Sequence, residues 1–193
     1  GQKRFAGAFG NEISDVSIAL SANYAQNTGQ SFFYKEFATD SIFHGNTPKS
    51  ADAEQYFSIT SQIEYKNLQF QSMYSSREVH IPTAPFGLVF GDSRTKTTDS
   101  YATSELKFNQ ELSVDKTLMI RAFYHRYYYT ETYPYTTYVS DEITASNTLG
   151  TEMLFKWDIS VSNRLTVGGQ YQNVLTANLD LTPDENRTLN FHL

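Results

Sequence analysis

Cysteine is absent from the 193 residues. That excludes a disulfide scaffold, thiolate metal ligation and a cysteine nucleophile. Positive charge is scarce as well: 15 Lys+Arg stand against 21 Asp+Glu, for a formal net charge of −6. Without clustered cations, nucleic acid is not an expected partner. No apolar run approaches the ~20 residues of a spanning helix, and no stretch carries a convincing helical period. Gly1-Gln2-Lys3-Arg4 has neither an initiator Met nor the apolar stretch of a signal peptide. The chain is therefore expected to be a mature product or a piece of something longer. Aromatic residues, by contrast, make up 15%, too many for a disordered chain.

Strict alternation dominates, and period two is the mark of a strand with two unlike faces. From 15 to 24, Val16, Ile18, Leu20, Ala22 and Tyr24 share one face, against Asp15, Ser17, Ala19, Ser21 and Asn23. The pattern recurs over 56–65, 68–75, 105–112, 117–129, 148–158 and 165–172, with shorter pieces at 4–9 and 188–193. This predicts an all-β chain: an antiparallel up-and-down meander of about nine strands, each ~9–11 residues long, the length that crosses a bilayer at a tilt. The connections alternate in length. Those at 10–14, 66–67, 113–116 and 160–164 are short, and those at 25–54, 76–99, 130–147 and 173–187 are long. Short turns at one end and long loops at the other suit an outer-membrane barrel, with periplasmic turns and extracellular loops.

The two faces differ in chemistry. One carries Glu64, Glu105, Lys107, Glu111, Arg121, Glu152, Lys156 and Asp158, which suits a water-filled or plugged lumen. The other is aliphatic in the middle, with Ile18, Leu20, Ile59, Ile120, Ala122 and Met153. Its ends are aromatic: Tyr24, Phe57, Tyr74 and Tyr128 toward the long loops, and Phe9, Tyr65, Phe108 and Trp157 toward the short turns. Tyr and Trp favour membrane interfaces because they pair an apolar body with a polar tip. The alternative is a soluble all-β carbohydrate- or surface-binding module with a Tyr-rich loop.

Two segments carry a family likeness. One is Ser75-Ser76-Arg77-Glu78, continuing through Ile81-Pro82-Thr83-Ala84 to Phe90-Gly91-Asp92-Ser93-Arg94-Thr95-Lys96-Thr97-Thr98-Asp99. The other is Arg121-Ala122-Phe123-Tyr124-His125-Arg126-Tyr127-Tyr128-Tyr129 and the Tyr-rich stretch to Tyr135. Both resemble the barrel region of TonB-dependent outer-membrane receptors. Arg4 to Glu12 and Gly29 to Tyr34 are similar to an earlier part of that region. The resemblance implies a 22-stranded barrel plugged by an N-terminal domain, of which residues 1–193 are an internal segment without plug. It also implies bacterial outer-membrane localisation, contact with outer-membrane lipid, and uptake of a scarce nutrient such as an iron–siderophore complex. Energy would come from an inner-membrane coupling complex, reached through the plug.

No enzyme chemistry is expected. His44, His80, His125 and His192 show no metal-ligand spacing, and no cofactor or metal site is predicted. There is no Gly-x-Ser-x-Gly elbow. Glu105 and Glu111 share a face, but six residues along a strand is about 20 Å, too far for joint acid–base work. Asn186-Arg187-Thr188 is a glycosylation sequon without weight in a bacterial protein. The densest binding-like feature is the run Tyr124 to Tyr138. Parity turns Tyr127 and Tyr129 inward near the long-loop end, and Tyr56, Arg77 and Tyr101 reach the same rim from other strands. Tyrosines offer flat contact area with a hydroxyl, and Arg offers a planar, charged fork for a small-molecule ligand.

Overall fold

The structure, a computed structural model, describes residues 1–182 and the backbone of 189–192. The sequon, Thr188 and Leu193, which the sequence reading gave to a last connection and strand, lie outside the described residues. Strand makes up 71% of the chain. Eight long strands follow in order: β1 (Gln2–Ile13), β2 (Val16–Asn27), β3 (Glu54–Tyr65), β4 (Leu68–His80), β5 (Lys96–Ser113), β6 (Lys116–Pro134), β7 (Val139–Ser160) and β8 (Asn163–Thr182). Each pairs antiparallel with the next in one meander, and the sheet does not close. This corrects the expectation of about nine strands. The terminal segment Leu189–His192 pairs with β8 only from Asn178 to Leu181, and four residues extend about 13 Å, too short to count as another wall strand.

The short turns are two residues long. Ser14 and Lys66 open the first two with φ of 57° and 52°, the positive values that primed hairpin turns require to match strand twist. At the third and fourth, bulges between Glu111 and Ser113 and between Asp158 and Ser160 take up one extra residue each. Trp157 anchors this end. Its indole N–H donates to Asp115 Oδ2 at 2.9 Å, and Lys116 lies 5.1 Å over its ring.

Burial is inverted relative to a sandwich. The apolar face has no second layer: Ile59, Ile120 and Met153 are 44%, 44% and 54% exposed. On the polar face Ser58 and Thr148 are buried, as is Phe123. That face is concave, with a hollow of about 720 Å³ lined by Ala8, Ser21, Thr60, Gln62, Gln71 and Glu105, among others. Its charges are bonded across strands. Arg121 on β6 bridges Glu105 on β5 at 2.9 Å and Glu152 on β7 at 2.7 Å, while Gln62 and Gln69 both donate to Glu64 Oε1.

The apolar band also drifts along the sheet. Its centre in β2 is Leu20. Carried strand to strand through Ser61, Ser72, Ser104, Tyr124 and Leu149, that position arrives at Asn173 in β8. The apolar stretch of β8, Leu165 to Tyr171, centres about five residues nearer the short turn. A slide of roughly 0.8 residue per strand, at ~3.3 Å rise and ~4.8 Å spacing, means strands tilted about 30° to the band. Closed barrels need tilts of ~35–45°.

The drift explains two corrections. Strands lengthen from 12 residues in β1 to 22 in β7, beyond the expected ~9–11. The expected long loop 130–147 is instead the continuation of β6 and β7 as a ribbon, closed by 135–138, where Tyr135 stacks on Tyr138 at 4.6 Å. As the band slides down, the upper parts of β5 to β8 rise clear of it. Likewise β8 runs on to Thr182 through most of the connection expected at 173–187. Phe9 is also corrected. It faces Leu20 in the middle of the band, because β1 continues four residues past it to Ile13; Phe5, stacked on Tyr24, holds the upper edge instead.

Candidate ligand-binding rim

The ladder puts the expected rim residues in two adjacent rows of the concave face. Tyr56 faces Arg77, Arg77 faces Asp99, and Asp99 faces Tyr129. One row deeper, Ser75 faces Tyr101 and Tyr101 faces Tyr127. Directly opposed residues stand ~4.5–5.5 Å apart at Cβ, so Tyr56, Arg77, Tyr101, Tyr127 and Tyr129 form one patch.

Their states differ. Arg77 Nε donates to Glu54 Oε1 at 2.7 Å, so its charge is already countered. Tyr127 and Tyr129 stack at 6.4 Å with planes 10° apart, and the Tyr127 hydroxyl donates to Asp99 Oδ1 at 2.7 Å. Below them the rings continue down β6. His125 lies 6.3 Å from Tyr101 and 5.0 Å from Phe123, and Arg121 lies 5.0 Å over the Phe123 ring. Phe123 in turn covers Gly150, where a Cβ would sit 2.2 Å from Phe123 Cζ. Inward positions on β6 thus carry Phe123, His125, Tyr127 and Tyr129 in succession, an aromatic track from the rim into the hollow.

Sequence reasoning missed the acids of this patch. Glu54, Asp99, Glu131 and Glu142 all face inward at the long-loop end; Glu131 opposes Glu142 directly and accepts the Tyr133 hydroxyl. Strand parity was the available signal, because Asp99 and Glu131 share phase with Tyr101 and Tyr127.

Above the rim the long loops fold on each other. Phe90 of loop 81–95 is 5% exposed. It stacks on Phe37 of loop 28–53 at 4.2 Å, with Tyr34 and Phe43 edge-on at 6.0 and 6.3 Å. Gly91 follows with φ of 70°, and its Cβ position is filled by the Phe43 ring. Arg94 grips Asp92 through two nitrogens, which holds the Asp92 carboxyl below the usual range. Ile81 N–H donates to the Thr95 carbonyl, and Val89 N–H donates to the Pro134 carbonyl at the end of β6. The segment from Phe90 to Thr95 is thus the clasp of a cap over the long-loop end. Ala51, Leu88 and Phe90 are buried in these loops, so most of the buried apolar core lies here and not between sheets. No family model, curated protein or solved structure matches the chain.

Proposed function

We propose that the chain is part of the wall of a transmembrane β-barrel in a bacterial outer membrane. Its role is TonB-dependent uptake of a scarce small nutrient, such as an iron–siderophore complex, contacted at the inner rim. The observation that carries this is the inversion of burial: the polar face is concave and cross-bonded, while the apolar face is convex, aromatic-edged and uncovered. Water disfavours such an arrangement and a bilayer favours it. The drift of the band adds support, because tilt is what closure demands. The open edge of β1 is completed by further strands, since unpaired backbone groups are not tolerated in lipid.

At the rim the aromatic track supplies contact area and the inward acids set the charge. Glu54, Asp99, Glu131 and Glu142 outweigh Arg77, so the favoured ligand is one without excess negative charge. The test is uptake by whole cells at matched receptor abundance. Tyr127→Ala with Arg77→Ala lowers uptake affinity without lowering abundance. Trp157→Ala, at the opposite and outward-facing end, changes assembly but not affinity. Unchanged uptake in the rim pair would move the ligand to other loops. A protein recovered from the aqueous fraction, with no heat-modifiable mobility, would favour the soluble binding module.

A further inference from the structure

The outward band is nearly free of ionised groups. From Phe5 to Ile13 in β1 through Leu165 to Asn173 in β8, its positions between the aromatic edges are apolar or neutral, with the single exception of Arg126. Polar groups within the band and at its long-loop edge satisfy one another. Ser72 pairs with Ser104 at 3.1 Å and Ser76 with Ser100 at 3.0 Å. The Tyr124 hydroxyl donates to Asn147 Oδ1 at 2.7 Å, and Asn147 Nδ2 donates to Thr176 Oγ1 at 2.5 Å. Asn147 faces Arg126 in the ladder but has both ends engaged elsewhere. Among the described residues the Arg126 guanidinium has no hydrogen-bond or ion-pair partner; it lies over the Tyr128 ring, 5.7 Å from the centroid. With Tyr74, Ser100, Ala102 and Tyr128 it lines an outward groove of about 200 Å³.

We propose that this groove binds the phosphate of an anionic membrane lipid, in the leaflet on the long-loop side. The proposal rests on the barrel reading. A guanidinium offers a planar fork of donors that matches phosphate oxygens two at a time, and Tyr74 and Tyr128 flank it with rings for the acyl side and hydroxyls for the headgroup. Depth agrees. Arg126 lies six residues beyond Ile120 near the band centre, about 20 Å along the strand and about 15 Å along the membrane normal at barrel tilt. That is half of a ~30 Å hydrocarbon core, where headgroup phosphates begin. A free anion is poorly served by one cation in an open groove. A lipid adds contact between its chains and the adjoining apolar band, which selects the lipid as occupant.

The test uses the full-length protein extracted from its own membrane, then placed in vesicles of phosphatidylcholine with or without phosphatidylglycerol. Retained lipid is read by native mass spectrometry. The wild type is expected to retain the anionic lipid with roughly tenfold preference, the scale of one charge-assisted pair. Arg126→Gln abolishes the preference, and Arg126→Lys keeps part of it because the charge stays while the fork is lost. Inorganic phosphate does not displace the lipid; displacement would mark a free-anion site and overturn the assignment. A wild type that inserts but retains both lipids equally overturns the site and leaves the barrel standing. A protein that stays in the aqueous fraction overturns both.

Discussion

Placing an arginine at Ile120 tests the orientation of the wall. Ile120 faces Phe108 on β5 and Met153 on β7, near the centre of the outward band, and is 44% exposed with no protein layer over it. In a bilayer, Ile120→Arg carries a guanidinium to mid-depth, at a cost of about 2–4 kcal/mol. That is a roughly 30- to 900-fold loss in the inserted population. The same face already holds Arg126 about 20 Å farther along β6, so the penalty comes from depth and not from charge on that face. Gln62→Arg is the inward control. Gln62 donates to Glu64 at 2.7 Å, so the new cation meets a carboxylate inside a wet hollow, and the expected change is near zero. The assay is the yield of folded, heat-modifiable protein in the outer-membrane fraction, with urea titration in lipid for the magnitude. Equal losses at Ile120 and Gln62 would refute the assignment of faces.

Three other outcomes are expected. Phe90→Ala should open the loop cap, at about 3 kcal/mol for a buried Phe, and read out as faster proteolysis within 28–53 and 81–95 with little change in the strands. The Asp92 carboxyl has its pKa depressed by Arg94. Its contribution to the cap is full above the unfolded pKa and fades as pH falls through the folded one; the hydrogen-exchange protection of 81–95, taken relative to the intrinsic rate at each pH, should therefore fall on acidification below about pH 4, and Asp92→Asn should flatten that dependence. Gly150→Ala should expel the Phe123 ring, whose Cζ stands 2.2 Å from the added Cβ. A loss of about 1–3 kcal/mol and a changed near-ultraviolet dichroism signal would report it.

Period-two patterning was enough to assign the faces of β2 through β8, because one register slip would exchange every side chain between them. It also grouped Tyr56, Arg77, Tyr101, Tyr127 and Tyr129, since parity and strand direction fix both face and end. Ladder register was not legible. Nothing local in Arg77 says that Glu54 lies diagonally across from it, two residues along β3 from its ladder partner Tyr56, and Phe9 looks terminal only if β1 ends early. Strand ends above the band were hidden too. Thr130 to Pro134 and Val139 to Asn147 mix polar and aromatic residues on both faces, as solvated strands do, so alternation fades beyond the outward apolar band. The loop cap was invisible because Phe37 and Phe90 meet across more than fifty residues of chain, with no period to announce it.

The growth of the strands from β1 to β7 gives the long-loop end of the sheet a slope. From Tyr128 at the band edge to Pro134, the ribbon climbs about 20 Å along the strand, while β2 and β3 stop within three residues of Tyr24 and Phe57. If the sheet is part of an uptake barrel as proposed, a solute diffusing in from outside would meet the high side first, where Tyr133, Glu131 and Glu142 stand, and only then descend to the stacked pair below. Substitutions on the high side should therefore act mainly on the rate of capture. Those at Tyr127 and Tyr129 should act mainly on the rate of escape, so one lopsided lip separates the kinetics of arrival from the kinetics of holding.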